Sequence, residues 1–408
     1  VVTEAVVPVL DGLDRAALLG TVRQALGDAT VDIDAWEVRR IGYVELNPVS
    51  GGLFRVCGTT STAGAPATAR PWSLVLKVAR APEAGTLSPG GRALPSGWGR
   101  DPTHSQYWQR EALAYQSGLL NDLAGGLVAP RCYAVQERSD DCTWLWLEDV
   151  SGTHGADWSV ERYALAARHL GQFNGAYLVG GTLPTFPWLS SDWIRKWSEP
   201  LAASFDPALL RDPQTWTHPL VRRAFPEPIG EEVVRLCMER EQWLAALDRL
   251  PQTLCHLDAY SRNLLARRGA DGVDRTVAID WAFTGAAALG ADAGQLASAS
   301  RLFGDAPTIP IEQLWETVLA GYQAGLADAG WRGDDRLVAF GAAALAVVRW
   351  GFFIPTIALG TALDERRHAG AEQRFKRPLE DLLREEANLT YFVLGRASAA
   401  RAMMQELT

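Results

Sequence analysis

The 408 residues carry 48 acidic and 39 basic side chains, a formal net charge of −9, and 48% apolar content. That is ample for sizeable cores in a chain long enough to build two cooperating lobes, and it excludes a disordered or fibrous polymer. Lys and Arg nowhere form a dense tract, so a nucleic-acid polymer is not an expected partner.

Helical spacing runs through residues 5–35, with Leu18, Thr21, Val22, Ala25 and Leu26 as the expected inward face. A strand-rich region follows: Tyr43-Val44-Glu45-Leu46 reads as a strand, Asn47 to Gly52 as a flexible turn, and Leu53 to Cys57 as the returning strand. The small-residue run 58–70 reads as a long hairpin connection before a further strand at 72–78. Residues 81–105, rich in Pro, Gly and Ser, form an excursion. A helix at 109–120 and strands at 128–136 and 143–147 then close a small mixed lobe. From Trp158 the pattern is mainly helical, with helices expected at 160–179, 228–249, 311–329, 335–350 and 376–405 and short strands near 264–280. The expected fold is α+β: an N-terminal helix and strand-rich lobe over 1–150, and a mainly helical lobe over 151–408.

Five scattered cysteines, an odd number, fit a reducing cytoplasm. The opening Val-Val-Thr leads into no basic segment followed by an apolar signal region, so secretion is not expected. The longest apolar stretch, 337–348, ends at Arg349 and is too short to cross a bilayer; it reads as a buried helix, and no membrane partner is expected. No feature of the sequence sets an oligomeric state.

Several N-terminal residues suit a nucleotide. In Ser50-Gly51-Gly52 the glycines permit unusual dihedrals that bring backbone N–H groups near phosphate, although a surface hairpin yields the same letters. It is not a Walker loop, since the lysine and hydroxyl residue after the last glycine are absent. Lys77 ends an apolar strand and can either neutralise the α and β phosphates of ATP or snorkel from a strand edge. Glu111, on the next helix, can pair with Lys77 or be a solvated acid. The apolar strand 144–147 runs into Glu148-Asp149-Val150, whose backbone is expected to meet adenine around Glu148 and Val150, while the acidic side chains mark an interlobe hinge.

The sharper motif is Cys255-His256-Leu257-Asp258-Ala259-Tyr260-Ser261-Arg262-Asn263. Asp258 is placed to accept a hydrogen bond from an attacking alcohol, and need not be a strong base because that hydroxyl becomes acidic as transfer proceeds. Five residues on, Asn263 offers a carbonyl oxygen to Mg2+, and Asp280, delivered by the apolar strand Val277-Ala278-Ile279, offers a carboxylate. A strand-end Asp alone is more often a cap or turn residue. His256 reads as a tie between the loop and nearby backbone, Arg262 as either a phosphate contact or a surface side chain, and Asp292 as a group ordering the loop and satisfying N–H groups at a helix start. Trp188, Trp193, Trp197, Trp281 and Trp350 either line an aromatic acceptor pocket or pack between helices.

His256 to Asn263, with Ile279-Asp280-Trp281, resembles the aminoglycoside phosphotransferase and choline kinase-like superfamily, and the resemblance extends over residues 38–355. It implies a bilobal protein-kinase-like fold and ATP- and Mg2+-dependent transfer to an alcohol of a small metabolite or antibiotic, antibiotic resistance being one such role. It assigns the catalytic aspartate to Asp258, the metal ligands to Asn263 and Asp280, and the strand lysine and its partner to Lys77 and Glu111. The sequence departs from the common aminoglycoside-kinase pattern in having Leu257 where Gly is usual and Ala259-Tyr260 where Leu-His is common. That leaves phosphorylation in place and opens the acceptor to a sugar, a nucleoside antibiotic or an amino alcohol. The other readings are a catalytically inactive ATP-binding regulator and a metal-dependent hydrolase. A protein kinase is disfavoured by the compact turn from Asp280 to Gly285.

Overall fold

The computed structural model describes residues 8–42, 47–62, 69–87, 93–153, 155, 158–303 and 308–408. The strand expected at 43–46 lies outside them. The chain divides into two compact units, Val1–Asp122 with Val128–Ser151, and Leu123–Leu127 with Gly152–Thr408.

The first unit is strand-rich. Helix α1 (Arg15–Leu26) starts at Asp14, whose carboxylate accepts from the Ala17 N–H, and stops at Gly27 in the left-handed conformation (φ 64°). The helical pattern therefore ends well short of residue 35. Beyond it Val31 and Ile33 are buried while Asp32 between them is exposed, the period-two pattern of β1 (Val31–Arg40). Strands β2 (Ser50–Thr62) and β3 (Arg70–Arg80) are longer than their apolar runs because Thr60 still pairs with Arg70 near the hairpin end. After α2 (Arg110–Gln116) and the two-residue β4 (Leu127–Val128) come β5 (Cys132–Ser139) and β6 (Cys142–Glu148). The five-stranded antiparallel sheet runs β1-β2-β3-β6-β5. One face of it carries Ile33, Val56, Leu74, Leu76, Trp144 and Trp146, packed against Leu18 and Val22 of α1. Burying such side chains contributes about 1.5–3 kcal/mol each, which holds the short α1 in place.

The second unit is mainly helical. Helix α3 (Val160–Val179) lies along α11 (Ile311–Asp328) at a distance only glycine allows: a Cβ on Gly325 would sit 2.0 Å from the Arg168 carbonyl oxygen, and one on Gly171 2.1 Å from that of Tyr322. Between them in sequence lie α4 (Trp193–Ala203), α5 (Ala208–Arg211), α6 (Pro213–Thr217), α7 (Pro219–Ala224), α8 (Gly230–Met238), α9 (Arg240–Arg249) and α10 (Ala291–Leu302). The helix expected over 228–249 is thus two helices, divided at Glu239, whose carboxylate pairs with Arg235 and Arg401. Strand β7 (Gln252–Cys255) pairs with β10 (Gly285–Ala288), and β8 (Leu264–Arg268) with β9 (Asp274–Ala278), both antiparallel. The unit closes with α12 (Asp335–Trp350), α13 (Phe353–Leu363), α14 (His368–Phe375) and α15 (Leu379–Leu407). By length and composition alone Asp335–Leu363 is long and apolar enough to cross a membrane; 83% of its most apolar stretch is buried within the protein. Leu345 joins a core with Trp193, Ala291 and two residues of the motif, Cys255 and Leu257.

Candidate active site

In the strand-rich unit, Ser50-Gly51-Gly52 is the opening of β2 and not part of the preceding turn. A bulge separates the Ser50–Ala79 pair from the Gly52–Val78 pair. Both glycines are required there: Gly52 has φ 119°, and a Cβ on Gly51 would approach Val78 Cγ1 to 2.5 Å. The Ser50 hydroxyl accepts from the Gly52 N–H. Lys77, on the middle strand β3, forms an ion pair with Glu111 of α2; their side chains are 18% and 4% exposed. The Glu148 N–H donates to the Arg131 carbonyl, and its carboxylate accepts from the Arg131 N–H at 3.1 Å. Val150 follows β6 and is half-buried. Asp149, expected at a hinge surface, accepts from Arg55 at 2.8 Å and from the Ser73 hydroxyl.

In the helical unit the connection between β7 and β8 carries the Cys255–Asn263 motif, pinned from several sides. Asp292, fully buried in the first turn of α10, accepts from the His256 N–H (2.9 Å), the Leu257 N–H (2.8 Å) and the Asn174 amide (3.2 Å). It makes no cap bond at the start of α10, where Gly290 is the capping residue, so its side chain orders the loop instead. The Tyr322 hydroxyl in turn donates to Asn174 Oδ1 at 2.6 Å. The His256 ring links two segments. Its Nε2–H donates to the Ile279 carbonyl at 3.0 Å, and Nδ1 accepts from the Asp258 N–H at 3.2 Å, which defines one neutral tautomer. Beneath that ring lies the buried Trp281, with ring centroids 4.5 Å apart. Arg262 donates to the Phe303 carbonyl at 2.7 Å, a tie to the end of α10.

These ties bring Asp258, Asn263 and Asp280 together. The Asn263 amide nitrogen donates to Asp258 Oδ2 (2.9 Å) and to its backbone carbonyl (3.0 Å), and the Ile279 N–H donates to the Asn263 carbonyl (2.9 Å). Asp280 follows directly, in the left-handed region at φ 63°. Asp258 Oδ1 also accepts from Gln295 at 3.3 Å and from Arg349 of α12 at 3.0 Å. Burial lifts the Asp258 carboxyl above its ordinary range; Arg349 works against that rise and the nearby Asp280 adds to it. Burial likewise lowers the Arg349 guanidinium, with Asp258 partly restoring it. Among the described residues no three His, Cys, Asp or Glu side chains form a metal-holding group.

Arg349 and Gln295 lie outside the Cys255–Asn263 motif. The only signal for Arg349 in the sequence is an arginine closing an otherwise apolar helix, where a charge is retained only with a partner. Of the five tryptophans, Trp188, Trp193, Trp281 and Trp350 are buried and pack; Trp197 is half-buried. The five cysteines are all free thiols.

A strand-rich unit bearing a strand lysine paired to a helix glutamate, and a helical unit bearing the Asp258 loop, together define a kinase-like phosphotransferase fold. Residues 68–333 match the model of the phosphotransferase enzyme family (APH), and the chain belongs to that family. Among solved structures it is similar to amicoumacin kinase hAmiN in complex with AMP-PNP, Ca2+ and Ami, at 13% identity over 84% of this chain and 88% of that one, with a TM-score of 0.45. Spectinomycin phosphotransferase APH(9)-Ia, in complex with ADP and spectinomycin, is similar at 12% identity over 91% and 94%, with a TM-score of 0.41. Aminoglycoside phosphotransferase APH(3'')-Id from Streptomyces rimosus is similar at 17% identity over 83% and 99%, with a TM-score of 0.39. No curated protein matches the chain.

Proposed function

We propose that this chain is a Mg-ATP-dependent O-phosphotransferase that phosphorylates a hydroxyl of a small metabolite or antibiotic. The observation that supports this best is the convergence of Asp258, Asn263 and Asp280 on loops tied together through His256 and the Asn263 backbone. Asp258, its side chain 19% exposed, orients the acceptor hydroxyl and takes its hydrogen bond as the oxygen attacks the γ phosphate. With its donors already in place the carboxylate has one geometry, so little reorganisation is needed at the moment of transfer.

Asn263 and Asp280 offer only hard oxygen donors, which fits Mg2+; that ion takes one or two carboxylates and fills its octahedron with water and phosphate oxygens, so no cluster of three acids is required. When bound, Mg2+ supplies charge neutralisation along the triphosphate. In the other unit Lys77, aimed by Glu111, neutralises the α and β phosphates of ATP. The N–H groups at Ser50, Gly51 and Gly52 approach phosphate, and the backbone at Glu148 and Val150 receives adenine. A reaction that consumes ATP fits a cytoplasmic location.

The candidate acceptors are a sugar, a nucleoside antibiotic, an amino alcohol and an aminoglycoside. An ATP-consumption screen across these four classes, with mass measurement of the product, tests the reading. Acceptor-dependent ADP formation and a phosphorylated acceptor are expected. Tight ATP binding without acceptor-dependent turnover in any class would instead indicate an inactive ATP-binding regulator.

A further inference from the structure

Arg349 touches two successive residues of the catalytic loop. Its Nη1 donates to the Leu257 carbonyl at 2.6 Å and its Nη2 to Asp258 Oδ1 at 3.0 Å, while the side chain is 4% exposed. Three indoles hold the guanidinium: its carbon lies 4.7 Å from the Trp193 ring, 5.4 Å from Trp197 and 4.8 Å from Trp350. Such rings stabilise a desolvated cation and leave its planar fork one orientation.

The residue between these contacts is itself unusual. Leu257 has φ 63°, a conformation disfavoured for a side chain with a Cβ and retained only where its surroundings over-determine it. Here they do so from two helices. Asp292 of α10 takes the Leu257 N–H, Arg349 of α12 takes its carbonyl, and the leucine side chain is buried against Trp193, Cys255, Ala291 and Leu345. Turning Leu257 to an ordinary φ would break these bonds and swing Asp258 off its three donors.

We propose that Arg349 is the positioning residue for Asp258: one guanidinium, boxed by three tryptophans, holds Leu257 in the left-handed conformation and points the Asp258 carboxylate. This rests on the phosphotransfer reading for its kinetic consequence and on geometry alone for its structural one. Simple structural service is a poor account of the arginine, because a buried ion pair contributes little net stability over an apolar pair of similar volume. A two-pronged fork onto adjacent loop residues is what a lysine or an apolar side chain cannot supply.

The test uses the full chain with Arg349→Ala, Arg349→Lys and Arg349→Gln; the last leaves a smaller cavity than alanine if the alanine variant does not fold. The kinetic readouts are kcat, the KM for ATP, and rescue by low millimolar guanidinium chloride. The structural readout is backbone hydrogen exchange at Leu257 and Asp258. Arg349→Ala is expected to lower kcat by about 100-fold or more with the KM for ATP changed less than about threefold, as for loss of a group acting only through catalytic geometry. Guanidinium should restore about a tenth of the lost rate or more, and Arg349→Lys should remain impaired despite its charge. Exchange at the two loop amides should rise while that of α10 and α12 is kept. Wild-type kcat in Arg349→Ala, or in Arg349→Gln where only that variant folds, overturns the proposal, as does unaltered exchange at 257 and 258. If the wild-type chain turns over no acceptor but the exchange changes as expected, the phosphotransfer reading fails and the clamp stands.

Discussion

Two acid–base pairs, one in each unit, are built with opposite polarity. In the strand-rich unit the acid is the hidden member: Glu111 is 4% exposed and Lys77 18%. In the helical unit the base is hidden: Arg349 is 4% exposed and Asp258 19%. In each pair the more accessible partner is the one whose chemistry a phosphotransferase needs, a cation for phosphate and a carboxylate for the acceptor hydroxyl. On the proposed reading the buried partner fixes its direction. The two bases differ in kind to match: Lys77 is a compact charge with a movable head, whereas Arg349 is a rigid fork that can hold a neighbour in one place.

The contrast between the pairs breaks if the exposed members are not the working ones. Asp258→Asn is expected to have the largest effect, lowering turnover by about 10²–10⁴-fold with Mg-ATP affinity nearly unchanged, read by steady-state kinetics and calorimetric titration. Asp280→Asn should weaken Mg2+-dependent nucleotide binding and cost roughly 100-fold in kcat/KM, read as a raised Mg2+ requirement. Lys77→Ala should lower kcat/KM for ATP by about 10–100-fold, the weight of a charge-assisted contact of ~1.5–3 kcal/mol. Glu111→Gln, altering only the support, should lower it by about tenfold or less. An equal or larger loss in Glu111→Gln than in Lys77→Ala would reverse the roles assigned to that pair.

A buried titratable group outside both pairs sharpens the contrast by affecting stability instead of chemistry. His169, buried on α3 with Nδ1 2.9 Å from the Thr276 hydroxyl, has its pKa lowered from 6.5 to about 4 by burial, with Arg162 and Arg168 adding to the shift. Its folded pKa lies below its unfolded one, so the unfolded chain binds the extra proton first. Stability is fully present above pH 6.5 and falls as the pH drops toward 4. The loss is expected to be about 1–3 kcal/mol, and denaturant melts between these limits should show it shrinking in His169→Gln.

Much of this was readable from residue order. The strand-rich half, the helical half, the helix over 160–179 and the tie made by His256 follow from apolar periodicity and from a polar loop bounded by strands. What was not readable depends on contacts distant in sequence. The pattern through residues 5–35 looks helical beyond Leu26 because short apolar spacings suit both periods; Gly27 in the left-handed region and the pairing of Val31 with Thr62 decide against the helix. Ser50-Gly51-Gly52 reads as a turn from its composition, yet the partner strand draws it into β2 as a bulge. Arg349 stands 91 residues from Asp258 in the chain and is visible beforehand only as the charge ending an apolar run. Its partner emerges when α12 packs against the Asp258 loop.

The division of labour between the two pairs is tested most directly by measuring Mg-ATP affinity and acceptor turnover side by side in Asp258→Asn and Lys77→Ala, each verified as folded. Asp258→Asn is expected to bind Mg-ATP like the wild type but barely turn over, and Lys77→Ala to lose affinity for the nucleotide. Near-normal turnover in Asp258→Asn, or undiminished Mg-ATP affinity and activity in Lys77→Ala, would contradict it.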